Sequence, residues 1–319
     1  MRALSGIQPS GALHIGNYFG AIQQYVKLQA EHEGFYFIAD YHALTSIRDP
    51  ATLREYTLQL ATDMLALGLD PERSVLFKHS DVPEVTELTW LLSTVTPMGL
   101  LERCHAYKEK VAEGLPADHG LFAYPVLMAA DILIYDSDVV PVGQDQKQHV
   151  EVTRDIAGKF NNTYGEALKL PEPLILPELA TIPGLDGRKM SKSYDNAILI
   201  FEEPAVLKKK VMSIVTDSTP VEAPKNPDRC NVFALYKLFA TQEEREEMAQ
   251  RYRAGGLGYG EAKKELAQRI TEFFAPHRER RQKLAADPDY VREVFKAGAE
   301  RARSEAAIVL GRCREAAGL

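Results

Sequence analysis

Apolar residues recur along this chain with two different periods, and each change of period marks an element boundary. Ala3, Leu4 and Ile7 predict a short strand and Pro9-Ser10-Gly11 a turn, while Ile15, Tyr18, Phe19, Ile22, Tyr25 and Val26 recur at helical spacing. A strand–turn–helix junction over Gly6 to Asn17 aims unpaired backbone N–H groups and the positive end of a helix dipole at whatever lies above the sheet. Glycines at 11 and 16 allow close approach there, and a nucleotide phosphate fits. His14 and Asn17 stand at the mouth of the turn, as phosphate donors or as plain helix caps.

Further along, Phe35 to Ala39 is a continuous apolar run, as a buried parallel strand requires, with Asp40, Tyr41 and His42 at its end. Pro50 to Gly68 carries a helical stripe, and Ser74 to Phe77 predicts the next strand. Glu84 to about Asp136 breaks the alternation with helices, including Leu121 to Ile134, and a polar loop, so it predicts a helical insertion. Val139 to Val142 returns to strand, a helix follows from about Gln144 to Phe160, and Leu174 to Leu176 predicts the last strand. Strands alternating with helices on short links predict an α/β fold with a Rossmann-like parallel sheet. After about Phe201 the stripes Leu266, Ile270, Phe273 and Val291, Val294, Ala302, Ala306, Val309, Cys313 predict an all-helical C-terminal domain, a small bundle. The expected organisation is 1–200 catalytic, with the insertion at about 84–136 and a loop at 184–193, and 201–319 helical.

Composition narrows the class. No window holds the roughly 18 consecutive apolar residues of a membrane span and the N-terminus shows no signal-peptide pattern, so a cytoplasmic protein is expected. Three widely spaced cysteines, Cys104, Cys230 and Cys313, make no metal-ligand or disulfide pattern. The net charge of −7 argues against a chain that coats itself with nucleic acid. Its distribution says more, because residues 1–199 hold 16 basic against 26 acidic side chains and residues 200–319 hold 22 against 19. That C-terminal excess fits either a solvated helical face or a nucleic-acid contact.

The second chemically loaded stretch is Gly187-Arg-Lys-Met-Ser-Lys-Ser193. Lys189 and Lys192 supply charge for a departing polyphosphate, and Ser191 and Ser193 supply oriented hydrogen bonds; a basic surface loop is the plain alternative. The pairing of His-Ile-Gly-Asn with Lys-Met-Ser-Lys-Ser resembles the class I aminoacyl-tRNA synthetases. Ser5 to Gly11, Met128 to Leu133, Pro141 to Gln146 and His149 to Glu151 resemble the tryptophanyl-tRNA synthetases of bacterial type in particular, over nearly the whole chain. The tyrosyl enzymes look less similar at these places. Asn17 departs from the broad pattern, which often has a second histidine there.

The resemblance implies activation of tryptophan by ATP with Mg²⁺, then transfer to the 2′-hydroxyl of the terminal adenosine of tRNA(Trp). It implies that Asp131 accepts the indole N–H, that Met128, Val140, Val142 and Leu4 pack the ring, and that Tyr124 and Gln146, with His42 nearby, receive the ammonium group. For ATP it implies His14, Gly16, Asn17, Gln8, Gly143 and Asp145, together with Lys189, Met190, Ser191 and Lys192, and Lys110 (or its neighbour Lys108) on phosphate. It further implies a homodimer and no iron–sulfur cluster, since the four cysteines that bind one are missing, and no resident metal or membrane partner. A tyrosyl enzyme, a cofactor nucleotidyltransferase of the same superfold and a non-catalytic binding paralogue are the competing readings.

Overall fold

The computed structural model describes residues 1–104, 107–108, 118–143, 147–175 and 182–319. Lys110, Asp145 and Gln146 lie outside the described residues, as do Gln144 and Leu176.

The chain divides into two compact units: Met1–Gly11, Gln24–Pro177 and Leu284–Leu319 form the first, Ala12–Gln23 and Glu178–Lys283 the second. The cut expected near residue 200 is therefore replaced by a discontinuous one. The segment after Gly11 and the 184–193 loop cluster with the following helices, and the C-terminal residues return to the first unit.

In the first unit, strands β1 (Arg2–Ile7), β2 (Glu33–Ile38), β3 (Ser74–Lys78), β4 (Val139–Val142) and β5 (Glu172–Ile175) form one sheet in the order β3-β2-β1-β4-β5. Every pairing is parallel, with Leu4 opposite Phe35 and Ala3 opposite Val139. The order reverses at β1, which is where an open α/β sheet places ligands. The run Phe35 to Ile38 is buried throughout, because a central parallel strand has both faces covered. The last strand begins two residues before its expected start.

Helix α1 (Asp40–Ala43) follows β2, and α2 (Pro50–Ala66) starts at the Asp49 cap, whose carboxylate accepts the Thr52 N–H at 2.7 Å. Helix α3 (Glu84–Ser93) packs on α4 (His119–Leu133), which in turn packs on α5 (Lys147–Tyr164). The C-terminal helix α6 (Pro288–Ala317) differs from expectation. Its stripe of Val291, Val294, Ala302, Ala306, Val309 and Cys313 is buried as the spacing predicts, but it covers β3 instead of joining a bundle. Gly298 explains how: a Cβ there would stand 1.9 Å from the Leu76 carbonyl oxygen, so only glycine lets the helix come that close. Arg303 with Glu84, Arg314 with Glu87 and Arg312 with Asp136 tie α6 to its surroundings.

In the second unit, Ile15 N–H donates to Ile198 and Ile200 N–H to Leu13, each at 3.0 Å, so His14 pairs with Leu199 in a short antiparallel bridge. The predicted first helix is not regular. A turn at Ile15–Asn17 passes into a π-helix at Tyr18–Ile22 before α-helix resumes at Gln23. This places adjacent Tyr18 and Phe19 both inside, where they meet Phe239, Phe273 and Phe274 edge-on. Along Tyr259–Ala286, Leu266, Ile270 and Phe274 are fully buried and Phe273 only half so, an i, i+4, i+8 stripe. No strand follows Phe201 among the described residues, and none of the described helices is long and apolar enough to cross a membrane.

Candidate active site

In the second unit the first turn and the Lys189–Ser193 loop are bound to one another. His14 and Asn17 form a reciprocal cap: Asn17 N–H donates to His14 Nδ1 at 3.2 Å, and His14 N–H donates to Asn17 Oδ1 at 3.0 Å. Both residues are therefore caps, as the plain reading had it, yet the cap itself defines a chemical state. Burial first, and the Lys192 ammonium second, push the His14 imidazole down to about 4, so it is neutral at pH 7. With Nδ1 accepting, the one ring proton sits on Nε2, a fixed donor.

Lys192 Nζ donates to the Ala12 carbonyl at 3.2 Å, bringing a loop cation to the same turn. Met190 is buried and anchors the loop, whereas Lys189 and Lys192 are exposed and Ser191 half-buried. Ser191 Oγ caps the short 3-10 turn Lys192–Tyr194 by accepting Ser193 N–H at 3.3 Å. The loop's shape comes from a residue the sequence did not single out. Asn196 is 2 % exposed; its Oδ1 accepts Ser191 N–H at 2.8 Å, and its Nδ2 donates to Asp186 at 2.7 Å and to the Lys189 carbonyl at 3.1 Å. Gly184 makes room for it, since a Cβ there would be 2.3 Å from the Asn196 amide carbon.

In the first unit the polar groups gather at the ends of β2 and β3. Asp131 of α4 is 2 % exposed inside an otherwise apolar helix. His42 Nε2 lies 2.7 Å from Asp131 Oδ2, and His79 Nε2 lies 2.7 Å from Oδ1. Only the His42 contact is aligned as a hydrogen bond; Oδ1 keeps a lone pair without an aligned donor. Burial pushes the Asp131 carboxyl up, but the charge of His79 at 2.7 Å and the hydrogen bond from His42 outweigh it and hold the group below the usual carboxylate range. Burial pulls His79 down, and Asp131, helped by Asp40, more than reverses this and raises it. These three residues are the candidate cation ligands among the described residues. A tetrahedral ion with bonds of about 2.0–2.1 Å holds its ligand atoms about 3.3 Å apart. Contacts of 2.7 Å are hydrogen-bond length, so protons join this cluster.

Around it, the Tyr124 ring meets His42 at 6.4 Å and His149 at 6.3 Å. Leu4, Val140, Met128 and Val142 belong to one apolar core cluster, the last two partly buried. Gln8 and Gly143 are exposed beyond the ends of β1 and β4. His79 was missed in the sequence, although it stands directly after an apolar strand, as His42 nearly does; the end of each parallel strand is where such a residue should be sought.

Comparison with known proteins gives the family and its relatives. Residues 1–275 match the family described as tRNA synthetases class I (W and Y). The chain is 59 % identical over 319 residues to the tryptophan–tRNA ligase of Rhodopirellula baltica, covering 100 % of both. It is 58 % identical to that of Fusobacterium nucleatum, covering 100 % of this chain and 98 % of the relative. The crystal structure of tryptophanyl-tRNA synthetase from Campylobacter jejuni complexed with ADP and tryptophan superposes with a TM-score of 0.94 at 51 % identity, covering 100 % of each chain.

Proposed function

The chain belongs to the class I tRNA synthetases of the tryptophan and tyrosine group, and from that premise we propose that it is a tryptophan–tRNA ligase. The tryptophan carboxylate, ionised at neutral pH, attacks the α-phosphorus of ATP in line. A carboxyl O–P bond forms, the bond to the pyrophosphate oxygen breaks, and tryptophanyl-adenylate results. No general base is needed, so catalysis is positioning and stabilisation of charge growing on the phosphates. Mg²⁺ enters with ATP as part of the substrate. The 2′-hydroxyl of the terminal adenosine of tRNA(Trp) then displaces AMP.

The observation that carries this reading is the Asp131 cluster: a buried carboxylate, kept ionised by two imidazoles, with acceptor capacity left on Oδ1. The indole N–H is a neutral donor that suits it, while Met128, Val140, Val142 and Leu4 supply the apolar wall. Tyr124 and Gln146 receive the ammonium group. The nucleotide meets Gln8, Gly16, Asn17, Gly143, Asp145 and His14, whose Nε2–H is the fixed donor, with Lys110, Lys189, Met190, Ser191 and Lys192 along the phosphates. Residues 200–319 give the tRNA its second contact, supported by their basic balance and by exposed Lys264, Arg280 and Lys283. Arg278 and Arg281 do not serve there as free charges, because Arg278 donates to the Ile200 carbonyl at 3.1 Å and Arg281 stacks over Phe201. A homodimer through the helical insertion is supported by exposed Trp90 and Met98.

The test is Asp131→Ala. Tryptophan kcat/KM in ATP–pyrophosphate exchange should fall by roughly 10² to 10³, and the tryptophan-to-phenylalanine ratio should shrink, because a buried charge-assisted bond is lost. An equal fall for both amino acids, with the ratio unchanged, would make Asp131 a structural carboxylate.

A further inference from the structure

We propose that His79 is a positioning residue for amino-acid selection: through its contact with Asp131 Oδ1 it fixes the orientation and the charge of the carboxylate that reads the indole, without itself touching substrate. This rests on Asp131 being the indole acceptor. The geometry supports it in three ways.

First, the ring has no freedom to leave. His79 is 1 % exposed and is walled edge-on by Phe37 at 5.3 Å and Tyr41 at 4.9 Å, with His42 stacked at 5.6 Å. Second, its nitrogens are unmet elsewhere. Both nitrogens are buried without an aligned hydrogen-bond partner among the described residues, and Nε2 stands 2.7 Å from Asp131 Oδ1 as an ion pair. An apolar residue of the same shape would carry no such cost, so the contact with Asp131 is what offsets it. Third, the two histidines divide the carboxylate between them, His42 on Oδ2 and His79 on Oδ1. An ionised carboxylate has about four lone-pair sites, so two imidazoles fix its plane and still leave acceptor capacity for an incoming donor in a fixed direction.

The titratable groups around His79 are Asp40, Tyr41 and His42 from α1 and Asp131 from α4; Tyr135, just beyond α4, feels the Asp131 charge in turn. Of these, Asp131 and Asp40 favour the imidazolium. Take the imidazolium away and burial is left to push Asp131 up, opposed by His42 alone.

The experiment measures tryptophan- and phenylalanine-dependent ATP–pyrophosphate exchange against pH for the full-length wild type, His79→Leu and His79→Gln. In His79→Leu the KM for tryptophan should rise about tenfold or more while kcat and the KM for ATP stay within about threefold, and the tryptophan-to-phenylalanine ratio should fall. The acid limb of kcat/KM for tryptophan should move to higher pH, because the carboxylate protonates more easily. Glutamine keeps a donor of similar reach without the charge, so it should retain most of the ratio but still move the acid limb. If His79→Leu does not fold, the acid limb of His79→Gln decides. Unchanged KM and acid limb in the variants, or equal losses in kcat and in both KM values, would reduce His79 to packing. Asp131→Ala, run in parallel, separates the two ideas. If it collapses selectivity while the His79 variants do not, only the role of His79 fails; if it leaves selectivity intact, the reading of Asp131 fails first.

Discussion

Lys192 and Ala12 lie 180 positions apart in sequence, yet the Lys192 ammonium donates to the Ala12 carbonyl at 3.2 Å. A flexible lysine that donates to a neutral carbonyl can transfer to a stronger, charged acceptor, and a polyphosphate is one. Lys192→Ala should therefore lower kcat for adenylate formation by about 10² or more and change the KM for ATP much less. Steady-state exchange at varied ATP checks this, and an effect confined to KM would mean that the lysine acts on ground-state ATP.

Asn196 should matter nearly as much without meeting substrate. Ala at 196 leaves Ser191 N–H and the Lys189 carbonyl without their partner, a local cost of about 1–3 kcal/mol, and the expected result is a kcat about tenfold lower. Asp at 196 would point a second carboxylate oxygen at Asp186, so its loss should exceed that of Ala at neutral pH and narrow towards pH 4. Exchange rates with limited proteolysis of the 184–195 segment measure both. Equal behaviour of Ala, Asp and wild type would show that the loop holds its shape without Asn196.

The neutral state of His14 has a sign that can be checked. Its folded value, about 4, lies below the ordinary 6.5, so between these limits the unfolded chain takes up a proton that the folded chain refuses. Stability should then fall as pH drops from about 6.5 to about 4, by up to about 3 kcal/mol from this group. Urea midpoints for wild type and His14→Asn across that range test it. The difference between them should shrink with falling pH, and parallel profiles would mean that His14 titrates normally.

The sheet was legible in the sequence because buried parallel strands are written as short unbroken apolar runs, and Val139 to Val142 appears as predicted. So was the buried stripe of the last helix. What it packs against was not: a stripe of Val and Ala suits a sheet as well as a bundle, and only the 1.9 Å limit at Gly298 distinguishes them. The π turn at Tyr18–Ile22 was equally hidden, because periodicity averages over a single widened turn. Among site residues, His14, Asp131 and the two loop lysines stood out by chemistry and motif. Asn196 and His79 did not, since each acts through a partner distant in sequence and neither breaks the local pattern.

Activation of tryptophan is the defining reaction of this chain. ATP–pyrophosphate exchange with the full-length protein and each of the twenty amino acids in turn tests it most directly. Exchange should depend on tryptophan, with tyrosine and phenylalanine lower in kcat/KM by at least about 10³, because neither can offer an indole N–H to Asp131. Exchange driven by tyrosine, or no dependence on any amino acid, would contradict it.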